Sequence, residues 1–167
     1  MLNIEYHSFK SKIMLYQFSK LNKKHQITTL KQLKEEIENE FSELLQYYPN
    51  FMNWFNKVQQ ELFTSQNREI FFIINNQKII GFSILKRTDF EYKICTLIVQ
   101  EQFRNKGFGT ILMKKSLVYL DDCAQITISE KCLKFFLPLL NNFNFQFDKK
   151  INNYCNLDRA EYYFKKE

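Results

Sequence analysis

The sequence predicts a mixed α/β fold built around a single sheet, and three observations carry that prediction. Apolar residues first recur at three- and four-residue steps between Leu30 and Leu62. From Glu69 the pattern changes to short apolar runs separated by polar turns, as strands require. Beyond residue 109, helix-like and strand-like segments alternate. The predicted order is β-α-α-β-β-β-α-β-α-β-β. No internal repeat and no Pro/Gly/Ser-rich linker divides the 167 residues, so a single domain over 1–167 is expected.

A first strand is expected over residues 13–18, where Ile-Met-Leu-Tyr-Gln-Phe lies between lysines, and a polar loop over 22–26. Leu30, Leu33, Ile37, Phe41, Leu44, Leu45 and Tyr48 then fall on one face of a helix. Thr29 and Gln32 stand at capping-box spacing at its start, and Pro49 ends it. Asn50 is placed to cap a second helix carrying Phe51, Trp54, Phe55, Val58 and Leu62 on one side, a core stripe. Residues 70–74 and 78–85 read as a hairpin around Asn75-Asn76-Gln77, because Asn tolerates the positive φ of a tight turn. A charged connection, 86–92, leads to a strand over 93–99 and then to a helix over 109–120. Residues 124–129 alternate Ile126 and Ile128 with polar neighbours, again a strand. Ser129 is placed to cap a helix starting at Glu130 and interrupted by Pro138, and residues 143–151 and 161–165 read as a closing strand pair.

The composition excludes several classes. Hydrophobic residues at 45% and aromatics at 17% supply more apolar surface than a disordered chain has. The four cysteines, Cys95, Cys123, Cys132 and Cys155, form no CxxC pair and have two histidines for company, so no metal site is expected. Residues 1–12 mix charge and polarity, unlike a secretory leader, and no stretch approaches the ~20 apolar residues of a membrane span. Reduced thiols in a cytoplasmic protein, with no membrane partner, are the expectation. A net charge of +6 suits an anionic partner, although it also serves solubility.

Glycine is scarce, and that scarcity locates the chemistry. Of the three glycines, Gly107 and Gly109 lie two residues apart in Arg104-Asn105-Lys106-Gly107-Phe108-Gly109-Thr110. The apolar run Ile94 to Val99 precedes this segment and the helix over 109–120 follows it. A strand that turns directly into a helix leaves the first helical N–H groups unpaired, and with the helix dipole they form an anion site. The two glycines permit close approach to the backbone there, and Arg104 and Lys106 add charge. A diphosphate suits such a loop. The segment lacks the first glycine and the Lys-Ser/Thr pair of a P-loop, and it lacks the third glycine of a dinucleotide fingerprint.

Arg-Asn-Lys-Gly-Phe-Gly resembles the signature of the GCN5-related N-acetyltransferases: Arg or Gln, two residues, Gly, one residue, then Gly or Ala. The predicted order of elements is similar to that family's from about Ile13 onward, which implies the acyl-CoA N-acyltransferase fold. The resemblance implies that Arg104, Asn105, Lys106, Gly107, Phe108, Gly109 and Thr110 hold the diphosphate of acetyl-coenzyme A. It further implies that Leu97, Ile98 and Val99 bond the pantetheine arm like an added strand. That strand would splay from the one over 124–129, and a backbone N–H near Leu97 to Val99 would polarise the acyl carbonyl. An acceptor amine would attack directly, with no covalent enzyme intermediate.

The proton-handling residues depart from the family pattern. Leu140 stands where many members carry a tyrosine acid, which leaves Tyr154 or Tyr162 as substitutes in space. For the base, the candidates are Glu130, Glu91 beside Lys93, or water. Cys95 and Cys132 read as small core residues. The expected partner is a small-molecule or protein amine, or an amine borne on tRNA as the one nucleic-acid case, and the chain is expected as a monomer or homodimer. A non-catalytic acyl-CoA sensor on the same fold is the alternative function. The acidic run Glu35, Glu36, Glu38, Glu40 and Glu43 reads as a solvated helix face.

Overall fold

The computed structural model describes residues 13–152 and 159–167. Seven strands form one sheet in the order β1-β2-β3-β4-β5-β7-β6. They are β1 (Ile13–Gln17), β2 (Arg68–Asn75), β3 (Lys78–Arg87), β4 (Tyr92–Val99), β5 (Ala124–Ser129), β6 (Gln146–Ile151) and β7 (Glu161–Lys166). Five α-helices join them: α1 (Lys23–Glu40), α2 (Ser42–Tyr47), α3 (Phe51–Thr64), α4 (Phe108–Tyr119) and α5 (Leu133–Asn142). β1 to β4 are antiparallel neighbours, β4 and β5 run parallel, and β5, β7 and β6 are antiparallel again.

Both faces of the sheet are covered at β2 and β3, which explains why Ile70 to Ile74 is an unbroken apolar run. Phe71 and Ile73 join Leu112, Met113, Leu117 and Leu140 of α4 and α5 in one core cluster. Ile70 and Phe72 point the other way, into a cluster with Leu33, Ile37, Phe41, Phe55 and Val58 of the first three helices and their junctions. Gly81 packs closely on β4: a Cβ there would lie 3.0 Å from the Ile98 carbonyl oxygen and 3.2 Å from Val99 Cγ2. The β2–β3 hairpin turns at Asn76 and Gln77 with φ of 48° and 67°, the double positive φ that a two-residue turn demands.

Five local expectations are corrected. The polar stretch over 22–26 is the first turn of α1, capped by Asn22 Oδ1 accepting from His25 N at 3.0 Å, so Thr29 and Gln32 lie inside the helix. The long first helix breaks at Phe41 (φ −120°, ψ 33°). Phe41 is fully buried with its ring edge-on to Phe82 at 5.1 Å, and that packing overrides the continuing helical spacing. Ser129 makes no capping bond, and a 3₁₀ turn (Glu130–Cys132) precedes α5. Pro138 is carried inside α5 on its exposed side, where water can serve the carbonyl left without a donor. Phe143 and Asn144 belong to the end of α5 rather than to a strand. Asn144 has φ 60°, and Phe145 N donates to Leu140 O at 3.0 Å, which closes a Schellman turn.

Candidate active site

Beyond Val99 the chain makes a 3₁₀ turn (Glu101–Phe103), then a short loop of Arg104, Asn105, Lys106 and Gly107, and enters α4. Asn105 (φ 58°) and Gly107 (φ 86°) both take left-handed backbone, which residues other than Gly and Asn adopt at a cost of roughly 1–2 kcal/mol. A Cβ at Gly107 would meet nothing within 4 Å, so conformation rather than room requires glycine. No side chain caps α4, and the first helical bond runs from Ile111 N to Gly107 O at 3.0 Å. The N–H groups of Phe108, Gly109 and Thr110 therefore point out of the helix end with no acceptor among the described residues.

β4 and β5 pair only at Lys93–Gln125 and Ile94–Ile126, and the sheet opens from there toward Val99 and Ser129. A bulge at Cys95 shifts the β3–β4 register between Ile84 and Leu85. Gln100 N donates to Ile80 O, so by strand alternation the polar groups of Ile98 face β3 while those of Leu97 and Val99 face the opening. Leu97 and Val99 thus fit a strand-like ligand through their backbone. Ile98 contributes a side chain to the opposite core instead.

The two loop cations are turned away from the helix end. Arg104 Nε donates to Val99 O at 2.9 Å, and its Nη2 pairs with Glu43 of α2. Lys106 Nζ donates to Gln102 O at 3.0 Å and lies over the Phe103 ring. The anion-facing surface is therefore backbone N–H, with the charges held one layer back.

α2 and its last turn span the opening. Glu43 holds Arg104 on the β4 side, the Tyr47 hydroxyl faces the Cys132 thiol, and Tyr48 reaches β7. There the Tyr48 hydroxyl lies 3.4 Å from Glu161 Oε2, and the Arg159 guanidinium covers the Tyr48 ring at 4.7 Å. Arg159 Nε stands 3.4 Å from Glu161 Oε1, with Glu161 fully buried and the Arg159 side chain 10% exposed. Burial pushes the Glu161 carboxyl above its usual range, against the pull of Arg159. Burial also raises the Tyr48 hydroxyl, and Glu161 adds to the effect. Sequence reasoning missed this cluster, since 113 positions separate Tyr48 from Glu161. The signal present was an acidic residue at the start of the apolar run Ala160 to Phe164.

The candidate bases stand elsewhere. Glu130 is exposed and turned to the β6–β7 hairpin, 3.6 Å from Lys150 Nζ and 3.4 Å from the Tyr162 hydroxyl. Glu91 binds Lys86 at 2.5 Å, and that hydrogen bond lowers its pKa, which weakens it as a proton acceptor. Leu140 is fully buried in the core and Tyr154 lies outside the described residues. Burial raises the Cys95 thiol, which accepts from Arg68 at 3.4 Å, and also the half-buried Cys132, so neither is an activated nucleophile. Among the described residues no cluster of His, Cys, Asp and Glu is arranged for a metal, and no helix is long and apolar enough to cross a membrane.

The model of the acetyltransferase (GNAT) family matches residues 30–133, more than half of the chain. No curated protein sequence matches it. Among solved structures, a GNAT-family acetyltransferase from Desulfovibrio desulfuricans superposes over 92% of this chain and 98% of its own, at TM-score 0.67 and 8% identity. The PaiA N-acetyltransferase from Thermoplasma acidophilum, in complex with coenzyme A, matches over 93% of this chain and 99% of its own, at TM-score 0.66 and 13% identity. Nourseothricin acetyltransferase matches at TM-score 0.54 and 10% identity over 60% of this chain, which spans 65% of that protein. At such identities the solved structures establish the fold. A strand split beside an uncapped, glycine-led helix end and the family match agree, and the chain belongs to the acetyltransferase (GNAT) family.

Proposed function

We propose that this chain is an acetyl-CoA-dependent N-acetyltransferase in which a primary amine attacks the acyl carbon directly. The observation that carries the reading is the uncapped start of α4 beside the unpaired edge of β4. The N–H groups of Phe108, Gly109 and Thr110 would hold the diphosphate, and the backbone of Leu97 and Val99 would hold the pantetheine arm. Arg104 fixes the distance between these two surfaces by tying the loop to Val99 O. When bound, acetyl-CoA supplies an acyl thioester in reach of the opening between β4 and β5. The Val99 N–H is placed to polarise its carbonyl. The acceptor nitrogen gains a bond to the acyl carbon as the C–S bond breaks. One proton leaves the ammonium before attack, and a second passes from nitrogen to the departing thiolate. Water carries the first proton, because Glu130 is turned to Lys150 and Tyr162.

Thermal stabilisation by acetyl-CoA tests the cofactor half, because a ligand at ~100 times its Kd stabilises by about 2.7 kcal/mol. A clear melting shift is expected for the native chain and none for Gly107→Glu, whose carboxylate would compete for the same N–H groups. Equal shifts would sink the loop assignment. Thiol release against a panel of amines tests the transfer half. The buried Leu140 favours one second reading, a non-catalytic acyl-CoA sensor, which a melting shift without thiol release would support.

A further inference from the structure

The Arg159–Glu161 pair is incompletely bonded for a group so deeply placed. Neither Nε nor Nη2 of Arg159 has a hydrogen-bond acceptor among the described residues, and both atoms are buried. Glu161 receives only long contacts, 3.4–3.5 Å from Tyr48 and 3.4 Å from Arg159. Two more buried groups lie on the same face of the sheet, the hydroxyls of Thr127 and Ser129, and neither has a hydrogen-bond partner among the described residues. Ser129 stands directly across from Glu161 in the β5–β7 register, at the wide end of the split. An ion pair that only fastened β7 to α2 would be expected to close its hydrogen bonds, since each buried unmet donor costs about 1–3 kcal/mol. Unmet donors and acceptors concentrated at one point call for a polar partner, and a ligand beside the strand split can supply it.

We propose that Arg159, Glu161 and Ser129 form the acceptor site, and that the acceptor is an amine carrying a carboxylate, such as a free amino acid or a short peptide. The planar guanidinium has two N–H groups free, the arrangement that takes a carboxylate through paired bonds. Glu161 and the Tyr48 hydroxyl receive the ammonium, and the Ser129 hydroxyl bonds either end. A zwitterion laid against the Arg159–Glu161 pair meets each charge with its opposite and brings no net charge into the buried cluster. The Tyr48 ring lies 4.7 Å from the guanidinium and walls one side of this site. The inference rests on the transferase reading, and it adds the substrate class and the residues that select it.

The test compares L-leucine with isopentylamine, L-lysine with 1,5-diaminopentane, and glycyl-alanine with its amide, by thiol release and by melting shift with coenzyme A present. The carboxylate-bearing member of each pair is expected to give a KM at least about tenfold lower, or the only melting shift. Arg159→Met should abolish that preference while keeping the shift due to acetyl-CoA, and Arg159→Lys should restore part of it. If Arg159→Met does not fold, Ser129→Ala and Arg159→Lys carry the comparison. Equal use of both members of each pair, or a preference that survives Arg159→Met, overturns the inference while leaving the transferase reading intact. Acetyl-CoA binding with no acceptor turned over or bound overturns both the acceptor site and the transfer step. Absence of any acetyl-CoA shift instead removes the cofactor reading.

Discussion

Gly109→Ala separates what the helix end does for folding from what it does for a ligand. Gly109 lies within the first turn of α4, and it has no positive φ. A Cβ there meets only Leu139 Cδ2, at 3.9 Å, an ordinary contact. For the chain alone, Ala in a helix is better than Gly by roughly 0.5–1 kcal/mol. The variant should therefore melt about 1–4 °C higher, at the 2–4 °C per kcal/mol of a chain this size. The added methyl also stands over the N–H groups of Phe108 to Thr110, and a diphosphate held there would be pushed outward. Acetyl-CoA affinity should fall about tenfold or more, read by calorimetry on the same sample. Gly107→Ala should do the reverse for stability, losing about 1–2 kcal/mol through its φ of 86°, while Gly107→Asn loses less. If Gly109→Ala is more stable and binds acetyl-CoA as tightly as the native chain, the diphosphate does not sit at this helix end.

Three further outcomes follow from the packing and charges. Phe82→Ala should lose about 3–5 kcal/mol in urea unfolding, since Phe82 is fully buried against Phe41. Glu43→Gln should change stability by less than about 1 kcal/mol, because both side chains of its pair with Arg104 are about a third exposed. Burial raises the Glu161 pKa, so the folded chain holds that proton more tightly than the unfolded one does. The native chain should then gain stability relative to Glu161→Gln as pH falls through the raised pKa toward the ordinary carboxylate value. Urea midpoints for both proteins at two pH values measure this, and the opposite slope would refute the burial argument.

The parts of the fold read correctly from sequence are those where one local rule decides. The Asn76–Gln77 hairpin follows from positive-φ tolerance, and the strand–loop–helix around Gly107 follows from where a glycine-poor chain spends its glycines. The errors arise where tertiary contacts outvote spacing. Ile37, Phe41, Leu44 and Leu45 keep helical steps straight through the Phe41 break, because both flanking helices bury the same face. The first turns of α1 carry Lys23, Lys24 and His25 in solvent, so apolar periodicity is silent there and only the Asn22 cap marks the start. For the candidate site, the glycine-led turn into α4 was legible, but the turn of Arg104 away from the helix end depends on Glu43 of α2 and could not be read locally. The Tyr48–Arg159–Glu161 cluster exists only once β7 lies between β5 and β6.

The brief contact between β4 and β5 has a mechanical consequence. Two residue pairs fasten the four strands on one side to the three on the other, and α4 and α5 pack against residues of both. The sheet therefore behaves as two prongs sharing a short stem, and a small rotation at Ile94 and Ile126 becomes a larger displacement at Val99 and Ser129. A molecule lodged between the tips acts as a spacer that sets their separation. Amide exchange along Leu97–Val99 and Thr127–Ser129 should then slow together on binding, as a single vibration damped at both tines.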